Sequence, residues 1–313
     1  MEGMVKTVLI TGGMGFIGKN IIDCIKDSYN LIIIGRKEIK KISDFKYYKC
    51  DISNLEELEE VFKSEKIDYV IHLATYSKTK HQKNDILKMI DINVKGINNL
   101  LELCCEYKVE KVINTGSCFE YGNKKTVSIE TDELDPWNLY AETKVLAENL
   151  VNFYCKKGLN AITLRLFPAF GIYDKEERLL SYVIKSALYN QEIAVTAGEQ
   201  KWDYTYSKDI AEAYKAALET SIEGHEIINI SNNKPISLKE IVIKITELTN
   251  SKSKIIFGAI PYRDNEIMYL HGDNSKAKRI LNWVPKYDFE TALKETIEFY
   301  MENNKNQNYR NRT

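Results

Sequence analysis

Apolar residues along this chain fall into two alternating patterns, short solid runs and longer stretches in which they recur every three or four positions. The solid runs lie at 8–11 (VLIT), 31–35 (LIIIG), 69–73 (YVIHL), 111–115 (KVINT) and 161–166 (AITLRL), with a weaker one at 47–50 (YYKC). Runs of this length, rich in β-branched residues, are what a parallel sheet buried on both faces requires. The stretches between them, up to 26 and over 53–64, 85–107 and 140–155, carry the helical period. Strand and helix alternate, which predicts βαβ units with right-handed crossovers, and so a doubly wound parallel α/β sheet. Capping-box spacing at 53–56 (SNLE) and 237–240 (SLKE) marks two helix starts. Beyond 170 the rhythm shortens: a helix at 179–189, a strand at 193–195, a helix at 208–220, and helices at 275–281 and 290–301, with 227–230 returning to the sheet. This divides the chain into a sheet domain over 1–170 and a smaller C-terminal lobe over 171–302. The last residues, 303–313, are polar without an apolar period and read as a frayed tail.

The first strand runs into 12–18 (GGMGFIG), where Gly12, Gly15 and Gly18 stand three apart. An ordinary strand–helix turn would also use glycine. In the dinucleotide-binding reading, Gly12 makes the turn, Gly15 lets a pyrophosphate approach the main chain, and Gly18 lets the helix sit close on the strand. The helix then points its free N–H groups at the phosphates. About 20 residues further on, the end of the second strand meets the adenosine ribose, where an acid bonds a free 2′-hydroxyl and an arginine accommodates a 2′-phosphate. That position is Arg36, followed by Lys37, so NADP(H) is favoured over NAD(H). Asp51, after the third strand, is placed to accept from the adenine amino group or to cap a helix.

Composition narrows the partners. With 313 residues, 44% hydrophobic, 28% charged and a net charge of -1, the chain has material for a large core and no polyanion-binding bias, so nucleic acid is not expected. No apolar run approaches the ~20 residues of a membrane span and no signal-peptide pattern opens the sequence, which predicts a cytoplasmic protein without membrane partners. The six cysteines, Cys24, Cys50, Cys104, Cys105, Cys118 and Cys155, lack metal-ligand spacing, and neither disulfides nor a metal is expected.

Hydride chemistry at a carbinol or ketone needs a proton partner. His72 lies inside a strand and reads as packed or cofactor-facing. A tyrosine serves if a lysine one helical turn away favours its phenolate. Tyr140 and Lys144 have that spacing, but so do pairs starting at Tyr76, Tyr107, Tyr121 and Tyr204. Position selects Tyr140, which opens a helix directly after the fifth strand's long loop, with the Ser117 hydroxyl just beyond that strand's end.

Taken together, 11–18 (TGGMGFIG), 51–52 (DI), 72–75 (HLAT), 93–94 (NV), 116–122 (GSCFEYG), 140–144 (YAETK), 164–167 (LRLF), 202–204 (WDY), 209–211 (DIA) and 282–285 (NWVP) span nearly the whole chain. In order and spacing they resemble the extended short-chain dehydrogenase/reductases, the group of sugar-nucleotide epimerases, dehydratases and reductases. The resemblance implies a Rossmann-type sheet domain and a substrate-binding lobe. It implies Ser117, Tyr140 and Lys144 as the catalytic set, with Lys144 also holding the nicotinamide ribose. Beyond the glycine loop with Phe16 and Ile17, Arg36 and Asp51, it adds Ile52, Leu73, Ala74, Thr75, Asn93, Thr115 and Phe167 to the cofactor site. It assigns Thr75, Ser117, Cys118, Phe119, Arg178, Lys201 and Trp202 to a nucleoside-diphosphate sugar, and a homodimer to the helices containing Asn93 and Tyr140.

Departures from the group's pattern carry information. The 4,6-dehydratases have acids directly after the hydroxyl residue, where this chain has Cys118 and Phe119; Glu120 comes one place late. Pro168 stands for a usual asparagine and Trp202 for a usual arginine, leaving Lys201 or Arg178 to meet the diphosphate. The expected activity is therefore NADPH-dependent reduction of a 4-keto, 6-deoxy nucleoside-diphosphate sugar for a surface glycan, with the proton from Tyr140. The alternatives are an NAD-dependent 4-epimerase or 4-dehydrogenase, and a non-catalytic dinucleotide-binding regulator.

Overall fold

In the computed structural model, which describes residues 5–39, 44–78 and 83–310, with side chains to 302, the solid apolar runs form one parallel sheet. Its strands are β1 (Thr7–Thr11), β2 (Asn30–Gly35), β3 (Lys46–Lys49), β4 (Tyr69–His72), β5 (Lys111–Ser117), β6 (Ala161–Leu166) and a seventh, His225–Ile230. Their order across the sheet is His225–Ile230, β6, β5, β4, β1, β2, β3. Chain order reverses at the β1–β4 neighbourhood, where Thr11 pairs with both Ile34 and His72. The crevice outside the strand ends at such a switch point is where open α/β sheets bind ligands. The doubly wound fold expected from the alternation is the fold observed.

Period-two alternation divides the strand residues between two layers. Leu9, Ile32, Ile34, Val70 and Val112 face helices α2 (Leu55–Ser64), α4 (Gly96–Glu106) and α5 (Leu139–Cys155). Val8, Ile10, Ile33, Ile71 and Ile113 face α1 (Phe16–Ile25) and the helix Ser207–Glu219. Each such buried side chain contributes about 1.5–3 kcal/mol relative to exposure, so the strands' attachment to both layers far exceeds any local preference.

Three sequence expectations shift here. The helix expected at 208–220 does not belong to the lobe's core: Ile210, Ala211, Ala213, Tyr214 and Ala217 pack onto α1 and the sheet, because small residues at helical spacing allow a close approach. The cap of α2 is Asn54 rather than Ser53. Asn54 accepts from the Glu56 and Glu57 N–H groups, while Ser53 donates to Asp51. The expected helix 85–107 is α3 (Lys83–Ile90), a π-helical turn (Asp91–Lys95) and α4.

The lobe gathers Phe170, Val183, Ile184, Ile241, Ile245 and Leu293 into a separate core. Ser237 and Glu240 form the expected capping box on the helix Leu238–Leu248. The tail expected to fray continues the helix Phe289–Arg310, since 303–310 contain neither glycine nor proline; 311–313 lie outside the described residues. Among the described residues no helix is long and apolar enough to cross a membrane, and no cluster of metal-ligating side chains is present. All six cysteines are free, and burial pushes thiols such as Cys50 up to about 12, which keeps them unreactive.

Candidate active site

The glycine loop makes a tight turn and a close helix approach. Gly12 has φ +70°, and a Cβ there would come within 2.9 Å of the Ala74 backbone. A Cβ on Gly18 would collide with the Gly13 backbone, so α1 can sit this close only with glycine. Gly15 is exposed, and a Cβ on it would meet only the Gly12 carbonyl, at 3.1 Å, with open space beyond. As N-cap of α1 it offers no side chain to the first turn. An open cradle facing an uncapped helix N-terminus fits a pyrophosphate.

Thr11 ties the ends of β1 and β4 together beneath the loop. Its Oγ1 accepts from the Leu73 and Ala74 N–H groups at 3.2 and 3.1 Å and lies 2.8 Å from His72 Nδ1. Burial, with Lys144's charge adding to it, lowers the His72 pKa to about 3, so this imidazole is neutral and packed. Arg36 is exposed one residue past β2. Asp51 Oδ1 accepts from the Ser53 N–H and hydroxyl at 3.0 and 2.8 Å, so this carboxylate supports the turn before α2.

At the other half of the crevice, Ser117 ends β5. Its Oγ accepts from the Phe119 N–H at 3.2 Å, which leaves the hydroxyl proton free to donate. Tyr140 and Lys144 lie one turn apart at the start of α5, whose N-cap Asn138 accepts from the Ala141 N–H at 2.8 Å. Lys144 is buried, donates to the Thr115 carbonyl at 2.9 Å and lies 5.9 Å from the centre of the Tyr140 ring. Burial pulls its ammonium down to about 8, with Glu120 opposing.

The phenol behaves differently from expectation. Burial, reinforced by Glu120 and Cys118, raises the Tyr140 pKa, against the opposing influence of Arg178 and the Ser117 hydroxyl. Desolvation thus outweighs any preference for phenolate from Lys144, and Tyr140 stands in the cleft as a protonated donor. The structure removes the rival pairs. Tyr107 packs on Phe62, and Lys111 donates to the Leu218 and Thr220 carbonyls at 2.7 and 2.6 Å. Tyr121 is buried with its hydroxyl on Asn229, Tyr204 is buried in the lobe, and Lys208 pairs with Glu295. Tyr76 bonds Asp85 from a loop, and the lysine of its pair, Lys80, lies outside the described residues.

Several implied site residues hold the frame instead of facing the cleft with their side chains. The Asn93 amide bonds the Tyr76 backbone at 2.7 and 3.0 Å, the Thr75 hydroxyl at 3.2 Å and the Thr143 hydroxyl at 3.0 Å, joining the loop after β4 to the helix that carries Tyr140 and Lys144. Ile52 is buried, and its carbonyl takes the Asn99 amide at 3.1 Å. The Thr115 hydroxyl donates to the His72 carbonyl and meets the Tyr214 hydroxyl at 2.6 Å. Phe167 is buried beside Tyr121, and its N–H donates to the Ile230 carbonyl at 3.0 Å.

On the lobe side, Arg178 lies 5.6 Å from the Phe16 ring and acts electrostatically on Tyr140, which places it at the junction of glycine loop and phenol. Phe119 and Trp202 meet edge to face at 6.3 Å, and the Trp202 indole donates to the Ile267 carbonyl at 2.6 Å. With buried Cys118 they join an apolar cluster next to Ser117. Lys201 is exposed on the strand beside Trp202.

Sequence reasoning missed the buried set behind Ser117. The Arg165 guanidinium donates to Glu148 at 2.6 and 3.0 Å, and its Nε lies 3.3 Å from Glu120 Oε2. An arginine inside an apolar strand was the available signal, since such a charge demands partners.

The profile of the NAD dependent epimerase/dehydratase family matches residues 8–231. A UDP-glucuronate 4-epimerase from Thermodesulfobacterium geofontis is 30% identical over 94% of this chain and 96% of its own. A CDP-abequose synthase from Salmonella typhimurium is 28% identical over 93% of this chain and 97% of its own. The UDP-glucose 4-epimerase of Thermotoga maritima, solved with UDP-glucose, superimposes with a TM-score of 0.88 at 25% identity, covering 95% of this chain and 99% of the other.

Proposed function

The chain belongs to the NAD dependent epimerase/dehydratase family, and from that premise we propose that it is an NADPH-dependent reductase of a 4-keto, 6-deoxy nucleoside-diphosphate sugar. The glycine loop, Arg36 and Lys144 would hold a nicotinamide dinucleotide, which when bound would supply the hydride. Tyr140 gives its proton to the substrate oxygen, and Ser117 donates a hydrogen bond to that oxygen as charge develops. Lys144, whose ammonium donates to the Thr115 carbonyl, would also hold the ribose. Glu120, with no exposed surface, cannot reach a substrate, which fits a reaction without elimination of water.

The observation that carries the reductase reading is Arg36: a cation at the end of β2 favours the 2′-phosphate of the biosynthetic reductant. The apolar Phe119, Trp202 and Cys118 beside Ser117 support a deoxygenated sugar, and the CDP-abequose synthase among the relatives is consistent with a sugar nucleotide of this kind. The UDP-sugar 4-epimerases among the relatives favour the second reading, an NAD-dependent 4-epimerase.

Cofactor titration separates the two. Wild type is expected to bind NADPH at least tenfold more tightly than NADH, as one charge-assisted contact of about 1.5–3 kcal/mol gives, and Arg36→Asp to reverse that order. Equal affinities in wild type would remove the reductase argument.

We also propose a homodimer. Leu87 and Ile90 of α3 and Leu146 and Phe153 of α5 are apolar and 63%, 37%, 37% and 49% exposed, on the elements next to Asn93 and Tyr140. Light scattering should give twice the chain mass for wild type and the single mass for a Leu87→Glu, Phe153→Glu double variant. A monomeric wild type would reject the proposal.

A further inference from the structure

Behind the Ser117 turn, three charged side chains from three elements meet out of water. Glu120 follows β5, Arg165 is on β6 and Glu148 is on α5, one turn beyond Lys144. All three are buried, Glu120 completely. Glu120 Oε1 accepts the Ser117 N–H at 2.5 Å, closing a capping box with the Ser117 hydroxyl. Its other oxygen has no hydrogen-bond partner among the described residues and lies 3.3 Å from the Arg165 Nε. Arg165 is held by both Glu148 oxygens and by the Tyr121 hydroxyl at 2.9 Å. One guanidinium thus joins the turn that carries Ser117 to the helix that carries Tyr140 and Lys144.

We infer that Glu120 is a positioning residue of this site, fixing the Ser117 backbone against the catalytic helix through Arg165 and setting the charge felt by Lys144 and Tyr140. A buried carboxyl whose second oxygen has no aligned hydrogen bond, with only the charges of Arg165 and Lys144 to offset its burial, carries a desolvation cost that a merely structural cap does not require. Burial and Glu148 push the Glu120 carboxyl up to about 8, with Arg165, the Ser117 N–H and Lys144 opposing. The groups facing Lys144 are Glu120, the neutral His72 and the Tyr140 ring. Those facing Tyr140 include Glu120, Cys118, Arg178, the Ser117 hydroxyl, Lys144 and Tyr214. Since an ionised Glu120 favours the charged lysine and the protonated phenol, its loss makes both give up their protons at lower pH.

The inference rests on the Ser117, Tyr140 and Lys144 assignment, so the test includes a measurement independent of any substrate. In isotope-labelled protein, the Lys144 side-chain signal, assigned by its loss in Lys144→Met, is titrated by NMR. Glu120→Gln keeps an oxygen for the Ser117 N–H and removes the charge; it should lower the Lys144 midpoint by about one unit. In the reductase assay its basic limb should move the same way. Glu120→Ala removes the acceptor too and should lower kcat about 10- to 100-fold with little change in the KM for NADPH. An unchanged Lys144 titration in Glu120→Gln overturns the inference whether or not the alanine variant folds, as does wild-type kcat in Glu120→Ala. Full activity in Tyr140→Phe would instead overturn the site assignment.

Discussion

Tyr140→Phe should slow the hydride-transfer step by roughly 10²–10⁴-fold, the usual cost of a lost general acid. The substitution removes one oxygen from a half-buried ring at the mouth of α5. That oxygen supports no structural hydrogen bond comparable to those of Asn93 or Arg165, so melting temperature and NADPH affinity should change little. Burial keeps the wild-type phenol protonated at neutral pH, which is the state that reduction consumes. Single-turnover oxidation of bound NADPH with a 4-keto sugar nucleotide reads the step directly. Tyr107→Phe and Tyr204→Phe are the controls, since Tyr107 packs on Phe62 and Tyr204 is buried in the lobe core. Near-normal rates in Tyr140→Phe with a large loss in either control would overturn the assignment.

What the sequence disclosed and what it withheld follow the range of the interactions involved. The strands β1, β2, β4, β5 and β6 were legible because each is a local apolar run, and the glycine loop because turn, close approach and helix packing act within seven residues. The seventh strand was legible from composition alone; its register against β6, Ile227 to Thr163 and Ile230 to Leu166, was not. The helix Ser207–Glu219 was found but misplaced, since its amphipathic face does not say whether the partner is the lobe or α1, almost 190 residues earlier. In the site, the order of elements singled out Tyr140 among five equal spacings. The same reasoning gave Asn93 and Phe167 the wrong emphasis, because a motif locates a residue without saying which way its side chain points. It passed over Glu120 for the same reason. Its value emerges only when β6 brings Arg165 alongside and α5 brings Glu148 behind.

Lys144→Met should harm both binding and rate, which separates it from the tyrosine variant. The buried ammonium holds the Thr115 carbonyl at 2.9 Å and is assigned the ribose hydroxyls on its open side. Loss of a charge-assisted hydrogen bond of about 1.5–3 kcal/mol corresponds to about 10- to 150-fold weaker NADPH binding. The rate should fall further, because methionine matches the stem and not the charge that steadies the proton donor. The pH profile gives the sign. Lys144's pKa is lowered to about 8 by burial, so its charge is complete below that value and is lost as pH rises through it. Wild-type kcat/KM should therefore decline above about pH 8, in a limb that belongs jointly to Lys144 and the nearby Glu120 carboxyl. In Lys144→Met the same parameter should be low at every pH and lack that limb, whereas Lys144→Arg, which cannot lose its proton, should keep part of the activity with the decline moved to higher pH. A methionine variant that binds NADPH as wild type does, with an unaltered alkaline limb, would show that this lysine is neither the ribose ligand nor the group whose charge the reaction needs.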